Sequence, residues 1–190
     1  MKTHIAVAAV ALALAGVAAA ATPQTLSLRA ADFPAGAKAT PAPAISGPNG
    51  KSYTVTFNFK AGGREEEVTA LVWVAPSAGV AKRLYAGYVQ QTQGFQGERS
   101  LRLPRYGDAQ AANWADYKPA GGGGAERARS ALVVLKGRVF WELTVEDCNG
   151  AGLSPAGCAF GPTPPKIKEA TAVAELKKYA AKQRARVGNG

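Results

Sequence analysis

Cys148 and Cys158 are the only two cysteines of the chain, and Asn-Gly-Ala-Gly-Leu-Ser-Pro-Ala-Gly lies between them. Their chemistry depends on what else the chain offers. A structural zinc site needs about four ligands, and the one histidine is His4. The spacing is far from Cys-x-x-Cys, which disfavours a thiol–disulfide oxidoreductase. A mutual disulfide across a turn-rich loop is the remaining use, worth roughly 2.8 kcal/mol by loop entropy.

Any other chemistry must run on carboxylates, amines and hydroxyls. Glu142 stands between Trp141 and Leu143, inside an apolar run. Covered by a helix, its carboxyl would rise in pKa and could act as a general acid. The plainer alternative is an ion pair with Arg129. Glu65-Glu66-Glu67 could supply an acid, a base or cation ligands, but three carboxylates at a strand entrance read as a solvated end. Gly50-Lys51-Ser52 has the composition of a phosphate loop. Ile45 occupies the place of its first glycine and a strand follows where a helix is needed, so it reads as a turn. Gly150-Ala151-Gly152 would open a dinucleotide fingerprint, and Pro155 breaks it. No catalytic, cofactor-binding or metal-ligating set is assigned.

The C-terminal segment carries Lys166, Lys168, Lys177, Lys178, Lys182, Arg184 and Arg186 against Glu169 and Glu175. Lys177, Lys178, Lys182, Arg184 and Arg186 form a candidate surface for an anionic polymer. No aromatic residues alternate with them, so base stacking and specific nucleic-acid recognition are unsupported. The competing reading is a solvated helix back.

The N-terminus sets the expected compartment. Lys2 precedes an uncharged run from Ile5 to Ala21 that ends in small residues, the pattern of a secretory signal cleaved near Thr22. Leu14-Ala15-Gly16 approaches a lipoprotein processing site, but Val17 stands where the lipid-bearing cysteine belongs. The expectation is a free, exported protein, secreted or periplasmic, with no transmembrane segment after cleavage of residues 1–21. Oxidising surroundings fit a Cys148–Cys158 bridge. Loss of Lys2 leaves 22 basic and 13 acidic residues, a net charge of +9, and no histidine or methionine. Imidazole-dependent nucleophiles, proton shuttles and haem or zinc ligation are thereby excluded.

Residues 22–190 suit one domain. Tyr53, Val55, Phe57 and Phe59 alternate with polar residues as in a half-buried strand. Val68 to Ala75 is apolar on both faces, as in a central strand. Ser77 is a plausible N-cap for a helix to about Gln91, with Val80, Leu84 and Tyr88 on one stripe. "TLSLRAADFPAG" reads as an extended segment, "KATPAPAISGPNG" as a Pro-rich loop, and "RSLRLP" and "AQAANWADYK" as short strands. "RSALVVLKGRVFWELTV" reads as a hairpin turning at Lys136-Gly137, which pairs Leu135 with Arg138, Val133 with Phe140 and Ala131 with Glu142. Leu132, Val134, Val139, Trp141, Leu143 and Val145 then share the core face. A final helix spans about 165–187, docked through Ala172, Val173, Leu176, Tyr179, Ala180 and Val187, its basic side in water. The fold class is α+β: one antiparallel sheet of about six strands with two principal helices.

Leu103-Pro104, Gly107-Asp108-Ala109 and the strand pair turning at Lys136-Gly137-Arg138 give the chain a further likeness. With this order of elements it resembles the secreted PsbP-like domains. The resemblance implies an α/β/α sandwich and a mainly accessory or binding role, and it supplies no catalytic residue. The leading functional reading is a non-catalytic accessory or binding module of the cell envelope or extracellular space, with an unidentified protein or envelope polymer as partner. The alternatives are a histidine-free hydrolase-type enzyme using Glu142, and an electrostatic binder of anionic envelope polymers through the last helix.

Overall fold

The computed structural model describes residues 21–92, 98–117, 127–147 and 167–188. Cys148, Cys158, the glycine tract 121–124 and residues 1–20 of the segment expected to be a leader lie outside them.

The described chain is α+β, with an antiparallel sheet of eight strands and three helices. A helical turn, α1 (Pro23–Leu26), and a 3-10 turn (Ala30–Asp32) replace the extended opening expected for this segment. The Thr22 hydroxyl accepts from Thr25 N–H at 3.3 Å, and Pro23 suits a first helical turn. Two short strands, β1 (Lys38–Pro41) and β2 (Ile45–Gly47), occupy the expected Pro-rich loop. Both lie on the outer edge of β3 (Gly50–Ala61), and their residues are exposed throughout. Edge strands with Pro and Lys carry no buried alternation, so the sequence pattern had nothing to reveal.

β3 pairs with β4 (Arg64–Val74) through the turn Gly62-Gly63, whose φ angles are 58° and 79°. Positive φ at both loop residues is the requirement of a type I′ hairpin turn, met here by two glycines. After β4 come α2 (Ala78–Thr92), β5 (Arg99–Ser100), β6 (Ala109–Tyr117), β7 (Arg127–Lys136), β8 (Val139–Asp147) and α3 (Glu169–Gly188). The sheet order is β1-β3-β4-β8-β7-β6-β5. Strands β4 and β8 are therefore central, as expected for β4 from its apolar run. The Ser77 hydroxyl accepts from Val80 N–H at 3.3 Å and caps α2. "RSLRLP" contributes only the two residues of β5.

The β7–β8 register differs from expectation by two residues. Lys136 pairs with Val139, Leu135 with Phe140, Val133 with Glu142 and Ala131 with Thr144. Gly137 is the first loop residue, not the second, and it alone of the pair has positive φ, 57°. A glycine first in a two-residue loop is the type II′ requirement, which moves the turn to Gly137-Arg138. A shift of two preserves sidedness, so every side chain keeps the face assigned to it.

One face carries the main core. Val55, Phe57, Phe59, Val68, Ala70, Val72, Leu132, Val134, Trp141, Leu143 and Val145 are buried there. Leu176, Tyr179, Ala180 and Val187 of α3 close over them, with Val173 only half buried. Phe33 stacks between Phe57 and Tyr179 at centroid distances of 4.1 and 4.3 Å. Gln183 Nε2 donates to Leu26 O at 2.6 Å, tying α3 to α1 inside the core. α2 covers part of the other face, where Val80, Leu84, Tyr85 and Tyr88 meet Leu71, Trp73, Val133 and Phe140. Helices thus lie on both sides of one sheet. Among the described residues no helix is long and apolar enough to cross a membrane.

Candidate functional site

The α2 side of the sheet can be read row by row from the register. Trp73, Phe140, Leu135 and Ala109 form one row and Leu71, Glu142, Val133 and Ala111 the next. α2 sits on these two. The following row is Thr56, Thr69, Thr144, Ala131, Asn113 and Ser100, and beyond it run Asn58, Glu67, Glu146, Arg129 and Ala115. The face changes from aromatic to small and polar, then to charged.

Glu142 stands where the apolar and polar rows meet. It is 6 % exposed, and its Oε1 accepts from Arg129 Nη2 at 3.2 Å and from the Thr144 hydroxyl at 3.4 Å. The Tyr88 hydroxyl reaches it from α2. Arg129 also donates to the Thr144 hydroxyl at 3.2 Å, so the four groups form one network. Burial pushes the Glu142 carboxyl above its ordinary value. The Arg129 charge and the two hydroxyls oppose the shift without cancelling it. Tyr88 is raised as well, first by burial and then by the Glu142 charge. Both features weighed from sequence are therefore present: a helix-covered carboxyl and an ion pair with Arg129.

The reading of Glu65, Glu66 and Glu67 as a solvated end is overturned. They lie inside β4 at 2 %, 1 % and 3 % exposure. Glu66 turns to the α3 side, where Arg64 Nη2 meets its Oε1 at 2.5 Å, and burial again raises its pKa. Glu65 and Glu67 turn to the α2 side beside Lys60 and Asn58. A run of like charges reads as solvent-facing only if the strand ends before it, and β4 extends four residues further back than the apolar pattern implied. Among the described residues no group of three or more acidic, histidine or cysteine side chains is placed to hold a metal ion.

Next to this network lies a cleft of about 580 Å³. Its floor is Ala111, Ala131 and Val133, and Glu98, Ser100 and Asn113 rise around it. The Asn113 amide donates to Glu98 Oε1, which fixes both groups. Arg99 points to the opposite face, where it bonds Glu169 of α3. Small side chains at adjacent register positions make the hollow, since neighbouring rows rise on aromatic and charged residues. Sequence reasoning missed Glu98, Ser100 and Asn113. A signal existed: Ala109, Ala111, Asn113 and Ala115 give one face of β6 unusually short side chains.

Gly50-Lys51-Ser52, read from sequence as a turn, instead forms the start of β3 and pairs with β2; the turn is at Pro48-Asn49 just before it. The candidate polyanion residues lie along α3 and are largely engaged within the fold. Lys178 pairs with Glu175 at 3.1 Å, Lys182 donates to Asp32 O, Arg184 to Arg105 O at 3.3 Å, and Arg186 to Asp32 Oδ2 at 2.8 Å. Lys177 is exposed. Comparison of the chain with protein-family models, curated proteins and solved structures finds no match.

Proposed function

We propose that this chain is an exported, non-catalytic binding module that takes a hydrogen-bonding ligand in the cleft over β5, β6 and β7. The observation that carries this reading is the convergence of Glu98, Ser100 and Asn113 over a floor of alanines. The hollow is within the ~300–1,000 Å³ typical of small-ligand sites. Its polar groups are an acceptor carboxylate, a hydroxyl and an amide, which suit a ligand rich in N–H or O–H donors, such as a short peptide or an amine. Export rests on the leader, and the accessory role agrees with the PsbP-like resemblance.

A histidine-free enzyme is the second reading, favoured by the contact between Tyr88 and Glu142. Against it, Glu142 Oε1 is already engaged by Arg129 and Thr144, the pattern of a structural ion pair. Substitution of Ala111 by Phe fills the cleft without touching Glu142. Amine- and peptide-library binding, followed by amide chemical shifts, should map to β5–β6 and disappear in Ala111→Phe. Turnover of any substrate, abolished by Glu142→Gln, would replace this reading with the enzymatic one.

A further inference from the structure

A second cleft, of about 860 Å³, opens at the sheet end where α1, the end of β4 and the β7–β8 turn meet. It shares no lining residue with the first. Pro23, Leu26, Val74, Val139 and Val187 give it carbon walls. Three exposed cations lie on its rim, Lys51 from the β2–β3 hairpin and Lys136 and Arg138 from the β7–β8 turn, and among the described residues no carboxylate lines it. Asp108 reaches the same turn, but its Oδ2 accepts from Gly137 N–H at 2.8 Å. Lys136 also lies by Gly188, at the negative end of the α3 helix. A shallower apolar hollow of about 270 Å³ continues past Thr22, Pro23 and Lys51 to Ile45. Ile45 is 59 % exposed, the large hydrophobic side chain that the described fold leaves in water.

Carbon walls under a rim of one sign are complementary to a molecule with an apolar tail and an anionic head. We infer that this cleft binds a single-chain anionic amphiphile, of the fatty-carboxylate type, with its tail along Leu26, Val74 and Val187 and its head among Lys51, Lys136 and Arg138. Burying the tail supplies most of the affinity. The cations select the head, because charge-assisted contacts to an anion are stronger than those to a neutral group. The polymer-binding reading of α3 needs an extended basic face; this cleft needs a tail.

The test is calorimetric titration of the full chain with monomeric dodecanoate, with dodecanol and dodecyltrimethylammonium as neutral and cationic controls. Saturable binding of dodecanoate, at least tenfold tighter than either control, is expected. Combined Lys51→Gln, Lys136→Gln and Arg138→Gln should weaken it tenfold or more, whereas Lys82→Gln on the exposed side of α2 should leave it unchanged. Far-UV circular dichroism checks that the triple variant keeps its fold, which three exposed positions permit. A second variant, Val74→Asn, should weaken binding tenfold or more through the walls alone, since it leaves the charge unchanged. Equal binding of all three amphiphiles, no saturable binding, or full affinity in both variants would overturn the inference. Attachment to anionic vesicles that dodecanoate fails to displace would also overturn it, in favour of a membrane surface.

Discussion

Glu142→Gln should change how the stability of this protein depends on pH, and the sign is fixed by the structure. The carboxyl is 6 % exposed, and burial raises its folded pKa above the ordinary value of 4.5. In the unfolded chain it titrates near that ordinary value. Between the two pKa values the folded state binds the proton that the unfolded state has lost, so stability from this group falls as pH rises through the window and is level above it. Each unit of elevation costs about 1.4 kcal/mol at the upper plateau. Gln keeps the shape and does not titrate. The stability of Glu142→Gln minus that of the parent should therefore climb from pH 4 towards neutrality, even if the variant is less stable at every pH. Taking the difference cancels other titrating groups, Glu66 included, whose carboxyl is raised in the same direction. Urea midpoints at half-unit intervals from pH 4 to pH 8, for both proteins, give the curve. A flat difference would mean that Glu142 is solvated or that Arg129 fully offsets its burial. A falling difference would mean that the ion pair wins and that the network stabilises the charged form.

Two further outcomes follow from the geometry. A Cβ on Gly50, at φ 111°, would lie 2.2 Å from Val74 O, whereas one on Gly137, at φ 57°, meets nothing within 4 Å. Gly137→Ala should cost only about 1–2 kcal/mol of backbone strain; Gly50→Ala should cost about 3 kcal/mol or more, because a backbone oxygen cannot step aside. Similar unfolding midpoints for the two variants would refute this ordering. Asp32→Asn should loosen Arg186, whose guanidinium holds Asp32 Oδ2 at 2.8 Å, and so delay elution from a heparin column more than Asp108→Asn does, since Asp108 Oδ2 accepts a main-chain N–H from Gly137. The two substitutions remove the same charge, so equal delays would show that Arg186 adds nothing when released.

The core face was legible because its signal is redundant. Val55, Phe57 and Phe59 alternate with polar residues, and six hairpin positions from Leu132 to Val145 agree on one side. Such a pattern survives a two-residue register error, and it did: Glu142 faces α2 whether its partner is Ala131 or Val133. The turn itself was harder, since Lys-Gly and Gly-Arg are both two-residue loops and the choice rests on one dihedral. β1 and β2 were hidden for a different reason. They bury nothing and hold their places through main-chain bonds to β3, which side-chain patterning cannot register.

Glu65, Glu67, Asn58, Thr56 and Thr144 raise the deeper question, for they put polar groups on a covered face of the central strands. Patterning assumes that burial and apolarity coincide, and on the α3 side of the sheet they largely do, with Glu66 and Ser130 as buried polar exceptions. On the α2 side they part company after the row of Leu71 and Val133, beside the hollow floored by Ala111 and Ala131. Desolvating carboxylates is expensive unless each is matched by a donor, and a purely structural sheet would reach the same stability more cheaply with valine. A chain that keeps such groups in its central strands departs from the pattern that stability alone would favour, and such departures gather where a protein does its work. The same cost explains why the sequence pointed elsewhere: Glu142 drew notice for lying among hydrophobes, while the alanines that shape the cleft beside it carry no chemistry of their own. A hollow made by omission, from side chains too short to fill the space, becomes visible only when register sets them next to one another.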